Sequence, residues 1–279
     1  VAIADSRIDD ERRETGMQWL VDQMTLLPTG VLLVCMALGT AVLAVFVAWL
    51  ARVSLFDRLE DPSEMRGTVA DVVHGSLLAF IVFVLAHVLT DVRANLGHAD
   101  DQALHEASVV RRLDRELKAV GDDDAQAARV LLRGYVTSAV TDEWKTLSTA
   151  DPDLSPKTEA ALTAFVSATR RVVARHEDSA SSIRTLLDRL EEARQGRFEN
   201  STKTVPGVFW WVISLFMLAA MAMNGRYPGS WKSNFIIAIH MGAIGMVIAL
   251  IVNLDEPFRG VSGISPTPLA KSVGLTVPR

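Results

Sequence analysis

Four stretches of this chain carry no charged residue: 23–51, 72–90, 204–225 and 233–254. A helix needs roughly 20 apolar residues to cross about 30 Å of hydrocarbon, and each stretch is about that long. Backbone groups in lipid must bond within their own segment, so helices are the expected form. A single run of this kind also fits the buried helix of a water-soluble core, but four in one chain weigh against that alternative. The sequence therefore predicts an all-α integral membrane protein with four transmembrane helices. Tryptophans stand at the ends of the runs, at Trp19, Trp49, Trp210, Trp211 and Trp231. Amphipathic rings gather at headgroup depth. Arg52, Lys203, Arg226 and Lys232 flank the runs and are expected to reach for the interface.

The remaining sequence divides around these runs. Residues 1–27 are read as an N-terminal amphipathic segment. Met17, Leu20, Val21, Met24 and Leu27 share one helical face there, behind a charged start. An interfacial helix and a longer first helix both fit this pattern. The first 22 residues are too charged for a cleavable signal peptide. Residues 28–90 hold spans one and two, and 204–254 hold spans three and four. Between them, 91–203 is polar and rich in Ala, Leu, Arg and Glu, without β-type alternation. Helices are expected near 91–120, 123–148, 156–178 and 180–201, enough for a small soluble bundle. The last two are split only by 179–182, so one bent helix also fits. Three acids after Gly121 suit a helix N-terminus, and Ser155-Pro156 suits an N-cap and N1 pair. Residues 255–279 form a C-terminal tail.

Four spans place both termini and the insert on one side. Near the span ends, that side carries Arg12, Arg13, Arg93, Arg194, Arg197, Lys203 and Arg259. The other carries Arg52, Arg58, Arg66, Arg226 and Lys232. The small excess favours a cytoplasmic insert and cytoplasmic termini. The Ala/Val/Arg-rich usage points to a GC-rich bacterium, and the expected location is the bacterial plasma (inner) membrane.

Span two continues past its apolar run. Alternating steps of three and four from Ala70 give Val73, Leu77, Phe80, Val84, His87, Asp91, Ala94, His98, Asp101 and His105. The stripe is apolar within the membrane and then turns to His and Asp. A repeat of 3.5 on a 3.6-residue helix drifts about 20° per heptad unless helices wrap around one another. One reading is a packing seam that becomes polar on leaving the membrane. The other is a pore surrounded by copies of this helix. Leu77, Phe80 and Val84 would then form an apolar constriction, with rings of His87 and Asp91 beyond it. Histidine is the side chain suited to sensing protons, so such a pore would respond to pH. His98, Asp101 and His105, at i, i+3 and i+7, form a weak candidate metal face. His87 and His240, at span depth, are expected to face protein or water rather than lipid. His74 is expected near an interface.

Other chemistry is missing. No Walker loop, strand-borne GxGxxG, HExxH or GxSxG motif occurs. No enzyme activity and no cofactor are expected. Cys35 is the single cysteine, which excludes an intrachain disulfide framework. The net charge is −5 without a Lys/Arg block, so no nucleic-acid partner is expected.

Several short stretches, in order and in place relative to the spans, resemble the bacterial bestrophin-like domain proteins. They are "HGSLLAF" at 74–80, "RANLGHADDQALHEA" at 93–107 and "LLRGYVTSAVTDEW" at 131–144, then "LEEARQGRF" at 190–198 and "LDEPFRGVSGISP" at 254–266. The resemblance runs from about residue 30 to 273. It implies a homo-oligomer, a pentamer in bestrophin anion channels, whose second membrane helix lines a pore with an apolar neck. By that likeness Leu77, Phe80, Ile81 and Val84 are the neck. The corner Asp255, Glu256, Pro257, Phe258 and Arg259 then matches the bend after the last span. On physical grounds alone, the two acids and Pro257 stop the helix. Phe258 anchors the exit, and Arg259 stands where it can pair with an acid. No acids follow in "RGVSGISPTP", so the resemblance does not extend to a calcium clasp. Asp91 and Asp101 favour cations, which leaves the sign of an ion open. Two functions compete: a homo-oligomeric channel with an ion as substrate, and a non-conducting sensor, scaffold or accessory subunit whose insert binds a partner.

Overall fold

The computed structural model describes residues 28–58, 67–149, 151–260 and 263–276. The expected interfacial segment at 1–27 lies outside them. The described residues hold nine α-helices and no strand: α1 (Thr29–Ser54), α2 (Thr68–Val120), α3 (Asp123–Ser138), α4 (Trp144–Leu147), α5 (Pro156–Arg175), α6 (Glu177–Ser201), α7 (Gly207–Met223), α8 (Trp231–Leu254) and α9 (Thr267–Ser272). A π-helical turn, Ala139–Glu143, joins α3 to α4. Four helices are long and apolar enough to cross a membrane: α1, α2, α7 with its 3-10 extension to Arg226, and α8. The chain is an all-α membrane protein. At 53 residues, α2 is about 80 Å long by helical rise and cannot lie within ~30 Å of hydrocarbon throughout.

The chain forms two compact units. The membrane unit comprises the described residues up to Arg93 together with Thr204–Asp255. Ile81, Leu85, Val88 and Val92, at helical spacing on α2, join one apolar cluster with Ile213 and Met221 of α7 and Ile237, Met241 and Ile244 of α8. Helices α1 and α8 meet through small residues. A Cβ on Gly245 would sit 2.4 Å from the Thr40 hydroxyl and 2.9 Å from the Met36 carbonyl oxygen. Only hydrogen fits there, and the backbones approach as small-residue membrane interfaces allow. At one end of this unit Arg226 is buried rather than extended to an interface. Its guanidinium donates to Asp71 at 2.6 Å and to the Tyr227 hydroxyl at 2.7 Å. Arg52 donates to the carbonyls of Gly225 and Tyr227. His74 is buried in the same place.

The insert unit comprises Ala94–Lys203 and the described residues from Glu256 onward. Its core takes Ala99, Ala103, Val110, Leu113 and Leu117 from α2. Leu132, Tyr135 and Val136 come from α3, Phe165 and Val172 from α5, and Ile183, Leu187 and Leu190 from α6. The expected starts and stops are present. Gly121 leaves α2 at a φ of 76°, where a side chain would be strained. Asp122 caps α3 by accepting from the Ala125 N–H at 2.7 Å. Pro156 opens α5. The break before α6 falls at His176, with φ −127° and ψ 80°, and not at 179–182. The His176 ring lies 2.8 Å from the Asp122 carboxylate, which ties the break to the cap.

Candidate functional site

The stripe on α2 has an uncommon surface. None of its members from Ala70 to His105 is buried. In the membrane unit Leu77 and Val84 are half-buried, and Phe80 is 44 % exposed with its ring centroid 4.6 Å from that of Phe216. The His87 and Asp91 side chains are 60 % and 66 % exposed, with Nε2 and Oδ2 3.6 Å apart. Ile81 departs from this set. It is 1 % exposed and packs in the apolar cluster, on the face turned to α7 and α8. Two faces of one helix are thus separated: a packed face through Ile81, Leu85 and Val88, and an open face through Phe80, Val84, His87 and Asp91.

Within the insert unit, His98, Asp101 and His105 are exposed. Over seven residues of helix they spread along about 10 Å, too far to converge on one ion. Among the described residues no group of three or more His, Cys, Asp or Glu is placed to hold a metal.

The polar corner is well built. In the membrane unit the Asp255 carboxylate accepts from the Val205 N–H at 2.9 Å. In the insert unit Arg259 donates to Glu256 at 3.0 and 3.2 Å. The Pro257 carbonyl accepts from the Ile264 N–H at 2.8 Å. Phe258 is buried and meets Trp144 edge-on, centroids 5.6 Å apart. The Trp144 indole N–H donates to the Ile264 carbonyl at 2.8 Å. Aromatic pairs prefer this edge-on geometry.

Behind Trp144 lies a cluster that sequence reading passed over. Arg197, fully buried, donates to Glu106 at 2.7 Å and to Glu143 at 2.7 Å, and its guanidinium sits 4.5 Å from the Trp144 ring centroid. Arg194 donates to Glu143 at 2.6 Å and to Glu159 at 2.5 Å. The Tyr135 hydroxyl donates to Glu106 at 2.5 Å. The π-helical turn carries Glu143 inward; one extra residue in a turn re-aims the side chain that ends it. Burial and the negative charge of Glu106 push the Tyr135 hydroxyl well above its usual pKa. Burial pulls Arg194 and Arg197 down, but Glu143 with Glu159, and Glu106 with Glu143, outweigh it and raise both. The charge count near span ends includes these two arginines, and both are buried. A signal was present. Glu106 interrupts the apolar series Ala99, Ala103, Val110, Leu113, and Arg194 and Arg197 extend Ile183, Leu187, Leu190 at steps of four and three. Every stretch that carried the resemblance outside the membrane adds a residue to this cluster or to the Trp144–Phe258 contact beside it.

The Bestrophin-like domain profile matches residues 36–269. This chain belongs to the bestrophin-like family. Its fold is shared with solved structures. One is a bacterial bestrophin homologue from Klebsiella pneumoniae phased with zinc: TM-score 0.60, 15% identity, 85% of this chain and 98% of that one. A tryptophan-to-alanine variant of the Klebsiella homologue gives 0.58 at 18% identity, over 85% and 97%. A structure known as a membrane protein, with leucine changed to alanine, gives 0.62 at 16% identity, over 85% and 98%. No curated protein matches the chain. The match takes in most of the first span, the other three spans and the insert.

Proposed function

We propose that this protein is a homo-oligomeric ion channel of the inner membrane, with α2 lining a central pore. The observation that carries the reading is the open face of α2. In a single chain no member of the heptad stripe is buried, although Leu77 and Val84 pack partly against the apolar cluster and Phe80 meets Phe216, while the neighbouring face of the same helix is packed. Exposed apolar residues alone suit lipid. An exposed His87–Asp91 pair at the end of a span does not, because ionisable groups in lipid are costly and turn to protein or water. A ring of copies places the whole stripe on a shared axis. Leu77, Phe80 and Val84 then form the dry constriction, and His87 and Asp91 the polar rings beyond it. Ile81 is left out, because its side chain packs inside the protomer. Five copies follow from the resemblance to bestrophins, and the insert and termini are cytoplasmic. The acidic side chains on the stripe favour cations, so cation over anion passage is part of the proposal. The part of the post-span corner in the insert unit is anchored there by Phe258 against Trp144.

The test has two readouts on the purified protein. Single-particle averaging in nanodiscs gives the copy number. Currents in planar bilayers give conduction, and reversal potentials give the sign of the ion. Phe80→Ala opens the constriction and is expected to raise conductance or open probability severalfold. A monomer or dimer, or a well-folded ring that passes neither anions nor cations with Phe80→Ala, would overturn the reading. A non-conducting scaffold would then be the remaining function.

A further inference from the structure

One groove has no part in the pore. It lies wholly within the insert unit, between the end of α2 and the start of α6, and has a volume of about 710 Å³. Small-molecule sites are typically about 300–1,000 Å³. Arg111, Arg112 and Arg115 line it from α2, and Arg189 from α6. The hydroxyls of Ser181, Ser182 and Thr185 complete the α6 side. Glu116 is the one carboxylate in the lining, so four arginines against one acid leave a formal charge of +3. The whole protein is at −5.

Several other arginines of the insert unit are held by acids. Arg129 pairs with Asp114, Arg175 with Asp124, and Arg194 and Arg197 with buried glutamates. Among the described residues, none of the four groove arginines has a carboxylate within 4.0 Å. Arg111 and Arg115 stand at i and i+4, where like charges repel and weaken a helix. The helix tolerates this at a place where hydroxyls of a second helix face the same space. A guanidinium presents a planar fork of donors matched to the oxygens of a phosphate, and hydroxyls add neutral donors without adding charge. No aromatic side chain lines the groove. Recognition rests on oxyanion charge.

We infer that this groove binds a soluble, multiply charged phosphate compound with the charge of a di- or triphosphate. A phosphorylated lipid headgroup carries the same chemistry, and the test separates the two sources. It does not depend on whether the protein conducts.

The full chain is placed in nanodiscs of uncharged lipid and titrated calorimetrically with pyrophosphate. Saturable binding is expected. The double variant Arg112→Ala, Arg189→Ala is expected to bind about 100-fold more weakly, since charge-assisted contacts are lost on both walls. Arg133→Ala, an exposed arginine outside the groove, keeps wild-type affinity. A second readout uses only the wild type. Phenylglyoxal labelling, read by mass spectrometry, is expected to show pyrophosphate protecting Arg111, Arg112, Arg115 and Arg189 but not Arg133. No saturable binding up to about 1 mM, equal affinity in the double variant, or protection spread evenly over exposed arginines would each overturn the proposal. So would protection by phosphoinositide-containing nanodiscs that pyrophosphate does not compete away, which assigns the groove to a lipid headgroup.

Discussion

The membrane unit and the insert unit are built from the same kind of helix and packed with opposite materials. Where α1 meets α8, the contact is made by glycine, alanine and threonine, and large apolar side chains such as Phe83 and Trp211 stay exposed. In the insert unit, large apolar side chains go inside and the charged ones that remain inside are paired. The difference follows from the solvent. Lipid is as apolar as leucine, so burying leucine in a membrane protein gains little, and close van der Waals approach is what holds helices together. Water rewards apolar burial at roughly 25 cal/mol per Å2, which selects for bulk in the core.

The largest expected effect strikes the insert unit. Arg197→Ala leaves Glu106 and Glu143 buried without their shared cation, and should cost about 3–5 kcal/mol in denaturant unfolding of the insert. The triple variant Arg197→Met, Glu106→Leu, Glu143→Leu removes three charges of the cluster and leaves Arg194 paired with Glu159. Recovery of much of the lost stability would show that the cluster specifies the core without being needed for its strength. No recovery would place it among the stabilising contacts and blur the contrast between the units.

A smaller effect is expected in the membrane unit. Gly245→Val pushes a side chain into Thr40 and the Met36 carbonyl, and should lower stability by about 1–3 kcal/mol, seen as a lower melting temperature in detergent. The same substitution at Gly134 of α3, where a Cβ meets nothing within 4 Å, should be nearly neutral. If both cost alike, close backbone approach is not what distinguishes the membrane unit. Phe80→Ala tests the open face of α2 and should change currents more than stability.

The smallest effect concerns acid. The His176 hydrogen bond, then the Ala125 N–H, holds the Asp122 carboxyl below its usual pKa. A depressed carboxylate contributes stability above the unfolded value, near pH 4, and loses it as pH falls through the folded value. Asp122→Asn keeps a helix cap but should flatten this acid limb, measured as unfolding midpoint against pH.

Charge-free runs of 19 residues or more made the four spans legible, because lipid admits few alternatives to a long apolar helix. The uninterrupted α2 was legible for a related reason: nothing between Thr68 and Val120 except Gly97 breaks a helix, and α2 passes through it. The break at His176 was misplaced by a few residues. The serines at 179–182 looked like a breaker, whereas the chain turns where His176 can reach Asp122. The Glu106–Arg197–Glu143 cluster was hidden by a rule of thumb, that charges near span ends lie in the interface. Its partners are 54 and 91 residues apart along the chain. Only the π-helical turn at Ala139–Glu143, which no local pattern announced, brings Glu143 to Arg197. Ile81 enters the neck by the resemblance alone; one step along a helix from Phe80 rotates a side chain by about 100°, and within the protomer Ile81 packs in the apolar cluster.

The Phe258 contact has a consequence for how this chain is made. The core of the insert unit includes Phe258, Ile264, Leu269 and Val273, which are translated after both final spans. A ribosome working from the N-terminus delivers α2 to α6 first, with Trp144 still waiting for Phe258 and for the Ile264 carbonyl. The insert therefore cannot close its core as a nascent domain. It is completed only once Phe258, Ile264, Leu269 and Val273 have followed α7 and α8 out of the ribosome.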